Sequence, residues 1–179
     1  MISIQKKNGK YYLLIPRLHF TRHLIIQVQT YIDEGGQTMS VEENKAVIHR
    51  FMEEVVRQGN FGVAHEIFTA DFVGHYGLPE SPKRGPEAII QRLTMLRTAF
   101  PDVQYTVEDE IAEGDKVVHR LTGRGTHRGD FLGISPTGKQ ATWTGIAIYR
   151  IAGGKIAERW VNVDNLGTVQ QLGATLSLG

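Results

Sequence analysis

The chain has no cysteine among its 179 residues, and that one absence removes disulfides, thiolate nucleophiles and cysteine-bound metals together. It also lacks an excess of either charge. Twenty Lys and Arg face nineteen Asp and Glu, a net +1, so no field draws the chain to nucleic acid or to an anionic membrane surface. No apolar run reaches the roughly eighteen residues of a membrane-spanning helix. From Met39 on, no two histidines stand at i, i+4, so no metal is expected there. Gly123-Arg124-Gly125 does not lead from a strand into a helix and cradles no phosphate, and Ser135, in Ile-Ser-Pro, has no nucleophile-elbow context. Internal repeats and low-complexity tracts are missing too.

What is present divides near Met39. Residues 1–38 hold five basic residues against Asp33 and Glu34, a balance of +3, and leave −2 for the rest. The stretch YYLLIPRLHFTRHLIIQVQTYI is strand-like, yet has no secretory cleavage site. Glu34-Gly35-Gly36 can be encoded by a purine-rich ribosome-binding site, and MSVEENKAVIHRF opens like a natural amino terminus. Residues 1–38 are therefore expected to be a start-site artefact or a disordered tail, with a strand arm over a sheet edge or partner as the alternative. Residues 39–179 are expected to form one domain, and the default compartment is the cytoplasm.

From Ser40 the elements are readable. Ser40 and Glu43 match a capping box, followed by apolar residues at helical spacing up to Gly59. A short helix is predicted at 61–68, then an apolar piece, 71–75. Pro79 and Pro82 mark a loop, and Pro86 opens a third helix that stops before Phe100-Pro101. Strands follow at 103–112, 116–127, about 140–151 and 155–164, and one or two closing helical turns at 165–172. Helices first and a strand meander afterwards predict an α+β domain.

Strand parity suggests a ligand-facing side. In 156–164 one face carries Ile156, Glu158, Trp160, Asn162 and Asp164, and the other Ala157, Arg159, Val161 and Val163. The first set, with an aromatic, an amide and two carboxylates, is expected to face a pocket, and the second to pack. In 143–149 parity leaves Trp143, Gly145, Ala147 and Tyr149 against Thr144, Ile146 and Ile148 without deciding which set faces inward. Trp143, Tyr149 and Trp160 are candidates to stack on a flat ligand, with a place in the core as the alternative.

Three blocks, NKAVIHRFMEEVVRQGNFGVAHEIFTADFVGH, AFPDVQYTVEDEIAEGDKVVHRLTGRGTHRGDFLGISPTGKQ and GIAIYRIAGGKIAERWVNVDNLGTVQQLG, resemble the SnoaL-like polyketide cyclase, or ester cyclase, branch of the NTF2-like superfamily. The resemblance runs from Asn44 to Gly173. It implies an NTF2-like cone-shaped barrel, a curved antiparallel sheet with about three helices packed on one side, and a homodimer through the sheet. It also implies closure of a ring of a small hydrophobic carbonyl-containing ligand by intramolecular aldol condensation, without metal or cofactor. Asp164 matches the family's acid/base aspartate.

Aldol closure needs a proton taken from carbon beside a carbonyl and one delivered to the new alkoxide. One carboxyl in apolar surroundings can do both, worth roughly 10²–10⁴-fold. An aspartate at a strand end before a helix is equally an N-cap candidate. Hydrogen-bonded and exposed, it would favour a ligand-binding protein without chemistry over a cyclase or isomerase. Epoxide hydrolysis, a third possibility, resembles an Asp-Arg-Asp constellation that the sequence does not reveal. His75, at the pocket mouth by resemblance, could assist Asp164 or be a loop histidine bonded to backbone. His127 could contact substrate, though a part in holding the long loop weighs more, and His119 reads as a half-buried strand residue. In the loop 128–139, Phe131, Leu132 and Ile134 are expected to turn inward as a lid over the pocket or a subunit contact.

Overall fold

The computed structural model describes residues 3–7, 10–14, 31–32, 38–77 and 83–175. In the amino-terminal extension, β1 (Ser3–Lys7) pairs with β2 (Lys10–Leu14), and β3 (Tyr31–Ile32) pairs with β4 (Thr38–Met39). Among the described residues neither pair joins the main sheet. The rest of the extension, and the loop expected around Pro79 and Pro82, lie outside the described residues.

Ser40 starts α1 (Val41–Arg50) as the capping box predicts. Its Oγ accepts from the Glu43 N–H at 3.2 Å, and Glu43 Oε2 accepts from the Ser40 N–H at 2.7 Å. Buried Asn44 donates from Nδ2 to the Gly114 carbonyl at 3.0 Å and so ties the helix to a hairpin of the sheet. Without a break α1 passes into a π-helical turn, Phe51–Arg57. The Val56 and Arg57 carbonyls at its end accept from Arg97 Nη2 at 2.8 and 2.6 Å, which satisfies groups a helix end leaves orphaned.

A 3₁₀ turn, Phe61–Val63, leads into α2 (Ala64–Ile67), and Phe68 already opens β5 (Phe68–His75). After β6 (Lys83–Arg84) comes α3 (Pro86–Ala99), with proline in its first turn where no N–H is needed. The meander β7 (Gln104–Glu113), β8 (Lys116–Thr126), β9 (Gln140–Ala152) and β10 (Lys155–Val163) falls where the periodicity places it, and α4 (Asn165–Leu172) closes the fold.

The six strands are ordered β6-β5-β10-β9-β8-β7. Two features correct the expectation of an antiparallel cone with about three helices. The sheet is mixed, because β5 pairs parallel with β10, and it is open, with β6 and β7 at its edges rather than closing on each other. Four α-helices accompany it among the described residues. A parallel pair joins strands distant in sequence, so local periodicity carries no trace of it.

The core has two parts. Phe51, Phe68, Phe72 and Tyr149 meet edge to face between the helices and the sheet, with centroids 4.8–5.9 Å apart. A second cluster, under the 128–139 loop, joins Phe100, Phe131, Trp143 and Leu172.

Candidate functional site

Between the helices and the sheet lies a small chamber of about 50 Å³. Its floor is β10, through Arg159, Val161 and Val163, with Trp143 and Gly145 from β9 beside them. Met52 and Val56 of the π-helical turn, and Arg92, Leu93 and Leu96 of α3, form the opposite wall. Parity had offered this face of β10 as packing. The reason lies in the helices, whose apolar stripes must cover a sheet face, and that covered face encloses the cavity.

Arg159 is the dominant charge. Its guanidinium carbon sits 5.8, 5.8 and 5.4 Å from the ring centroids of Phe51, Tyr76 and Tyr149. Three aromatic faces thus hold the cation where a carboxylate would be the usual partner. Burial opposes its charge, but the oxygens of Tyr149, Tyr76 and Tyr105 outweigh that and keep its pKa above the ordinary arginine value. The buried Nε has no hydrogen-bond partner among the described residues. Arg92, across the chamber, has a likewise unpartnered Nη1, and burial lowers its pKa. Burial raises that of Tyr105. Two cations and no carboxylate line the chamber, which therefore suits an anion or a carbonyl oxygen gaining negative charge.

The residues expected from sequence separate into three places. Trp143 lines the chamber, and Phe131 lines a smaller annex that shares Arg92, Leu96, Tyr105 and Trp143 with it. Trp143 lies directly over Gly123, where any side chain would collide with the indole. Tyr149 is fully buried with its ring against Arg159. On the opposite face of the sheet the parallel pairing puts Trp160 beside His75, and the two rings stack at 5.4 Å, 2° from coplanar. His75 Nε2 lies 2.9 Å from Glu158 Oε1, and Arg150 Nε donates to Glu158 Oε2 at 3.1 Å. Asn162 is exposed on that same face. His75, Glu158, Trp160 and Asn162 therefore do not line the chamber; from Glu158 on parity assigned the two faces of β10 in reverse, while the bulge between Ile156 and Glu158 leaves Ile156 in the core.

Asp164, between β10 and α4, lines neither the chamber nor the annex. It is exposed, and its Oδ1 accepts from the Gly167 N–H at 2.7 Å, capping α4 as the sequence allowed. Among the described residues Oδ2 takes no hydrogen bond. Its chain neighbours Val163 and Asn165 both line the annex. A side chain at Gly167 would strike the carboxyl, so glycine there leaves room for it. Gln171 holds α4 in place by a pair of hydrogen bonds to the backbone of Thr142, at 2.8 and 3.0 Å.

The long loop is pinned at its base. The Arg128 and Gly129 N–H groups both donate to the Ala99 carbonyl, and buried His127 accepts at Nδ1 from the Thr137 N–H at 3.2 Å. This is the loop-holding arrangement. Phe131 turns in against Phe100, 5.1 Å between centroids, and Ile134 packs beside it, whereas Leu132 is exposed with φ 51° and departs from the expected lid. His119 is fully buried, its Nε2 2.8 Å from Glu110 Oε2, and burial lowers its pKa. Among the described residues no group of His, Asp and Glu could hold a metal ion, and no helix is long and apolar enough to cross a membrane.

The family model for the SnoaL-like polyketide cyclase matches residues 46–172. The chain belongs to the SnoaL-like polyketide cyclase family. The aklanonic acid methyl ester cyclase DnrD of Streptomyces peucetius is 32% identical over 126 residues, 69% of this chain and 87% of its own. A SnoaL-like protein of Jannaschia sp. CCS1 superposes with a TM-score of 0.70 at 26% identity, over 79% of this chain and 100% of its own. An NTF2-like protein of Burkholderia xenovorans LB400, at 15% identity, shares the fold with a TM-score of 0.60, over 75% of this chain and 99% of its own. Arg92 was not singled out in the sequence, and Arg159 was placed with the residues expected to pack. The available signal was an arginine between Ala157 and Val161 on an otherwise apolar strand face.

Proposed function

We propose that this SnoaL-like chain is an ester-cyclase-type enzyme that closes a ring on a carbonyl compound, with Asp164 as acid/base and Arg159 as the oxyanion partner. The observation that carries it is the chamber's charge: a cation caged by aromatic rings, with no carboxylate in the lining, invites a developing enolate. The anchored Asp164 leaves Oδ2 to take a proton from the carbon beside the substrate carbonyl. The electrons of that C–H bond pass into the enolate, whose oxygen faces Arg159. The enolate carbon then bonds to a second carbonyl carbon of the same molecule, whose oxygen becomes an alkoxide and recovers the proton from Asp164. No electrons leave the system, and no cofactor enters the balance. The identity to an aklanonic acid methyl ester cyclase supports a methyl ester of an acidified polyketide as the substrate class.

Exposure and capping of Asp164 favour one second reading, a ligand-binding protein without chemistry. The test is a set of linear β-keto polyketide methyl esters, followed by chromatography for cyclic isomers of unchanged mass. Turnover that falls in Asp164→Asn and Arg159→Met supports the enzyme. Binding of the same esters without cyclic product, in wild type as in Asp164→Asn, supports the binder.

A further inference from the structure

The chamber of about 50 Å³ is too small for a polyketide body: at roughly 10–15 Å³ per water-sized atom it admits an arm of about four heavy atoms. A second, larger cleft of about 730 Å³ opens beside it, between the π-helical turn and the edge strand β7. Met52, Val56 and Tyr105 line both spaces, so the two adjoin at these residues, where a neck between them would lie. Each wall of the cleft carries a backbone irregularity. The helix wall is the π turn, and the strand wall contains the register shift between Val107 and Asp109. Such irregularities recur at functional sites because they re-aim side chains that regular geometry would misplace. The cleft is mixed in character, with Val103 and Val107 on its floor and the ion pair of Arg57 with Glu53, at 3.0 Å, on its rim.

We propose that chamber and cleft form one bipartite binding site, in which a short oxygen-bearing arm reaches Arg159 through the neck while the broad body of the ligand lies along β7, and that Met52 sets the length of arm accepted. The inference rests on the reading of the Arg159 chamber as the ligand site. Met52 and Val107 are specificity-determining residues here, since neither carries a reacting group. Methionine suits the neck because its unbranched, polarizable chain can move aside for an arm and return.

The test is calorimetric titration of the full chain with a series of naphthalene carboxylates, 2-naphthylacetate and its homologues with longer arms. Wild type is expected to prefer 2-naphthylacetate. Val107→Asp, at an exposed position, and Thr106→Trp, which fills the cleft floor, should each weaken that ligand by about tenfold or more with unchanged melting temperature. Met52→Ala should move the preferred ligand to 4-(2-naphthyl)butanoate. Affinity that ignores both Val107→Asp and Thr106→Trp, yet falls in Arg159→Met, overturns the bipartite site and leaves the chamber as the ligand site. Affinity that ignores Arg159→Met as well overturns both.

Discussion

The two faces of β10 hold charge in opposite ways. On the open face Glu158 is a carboxylate shared between His75 and Arg150, each within 3.1 Å, and every partner keeps contact with water. On the helix-covered face Arg159 has aromatic rings instead of a carboxylate, and a buried Nε with nothing to donate to among the described residues. The first arrangement completes itself; the second is complete only when something else arrives. An exposed ion pair contributes little, whereas a desolvated cation exerts its full pull on any oxygen that enters. That incompleteness, rather than the number of polar residues, is the ground for proposing the covered face as the functional one.

Four experiments would break or sharpen this contrast. The largest effect is expected at Asp164. Asp164→Asn should lower turnover roughly 10²–10⁴-fold, while the melting temperature holds, since asparagine caps a helix as well as aspartate does. Turnover within twofold of wild type would remove Asp164 from the mechanism. Next comes Arg159→Met, expected to cost about 10²–10³-fold in turnover as an oxyanion partner is lost. Its melting temperature should stay level or rise, because an apolar chain of similar length avoids the desolvation of a buried cation. A steep loss of stability would make the arginine structural.

On the open face the expected effects are small. His75→Gln should leave turnover within about twofold, and a larger loss in steady-state assays would place the histidine in the reaction after all. Glu158→Gln should cost less than about 1 kcal/mol. Burial raises the Glu158 pKa, but hydrogen bonds from His75 and Arg150 outweigh it and hold it below the reference of 4.5. A carboxyl with a depressed folded pKa stabilises above its unfolded value and loses that contribution as pH falls through the folded one. The melting-temperature difference between wild type and Glu158→Gln should therefore be full above pH 4.5 and vanish in more acid solution. A difference constant across that range would mean that Glu158 does not act through its charge.

Much of this was legible in residues acting on near neighbours. The capping box at Ser40, proline at the start of α3 and the meander from β7 to β10 follow from local chemistry. The loop-holding reading of His127 matches its bonds to Thr137, ten residues on across the loop. The candidate site was read less well. Trp143, named as a large aromatic, lines the chamber and Phe131, named for its place in the long loop, lines the annex, whereas Tyr149 lines neither. Trp160 and Asn162 were expected at the cavity because they are aromatic or polar on one strand face, and His75 by resemblance, yet all three lie on the open face.

By itself, then, the sequence determined the elements, their order and the alternation that separates Arg159 from Trp160. Alternation is a period of two, and it is symmetric: it sorts side chains into two sets without saying which set meets the helices. Only the tertiary structure decided that, through the parallel pairing of β5 with β10 and the packing of α1 and α3 against one side of the sheet. Both depend on contacts between residues far apart in the chain, where burial of apolar surface, rather than local conformational preference, selects the partner.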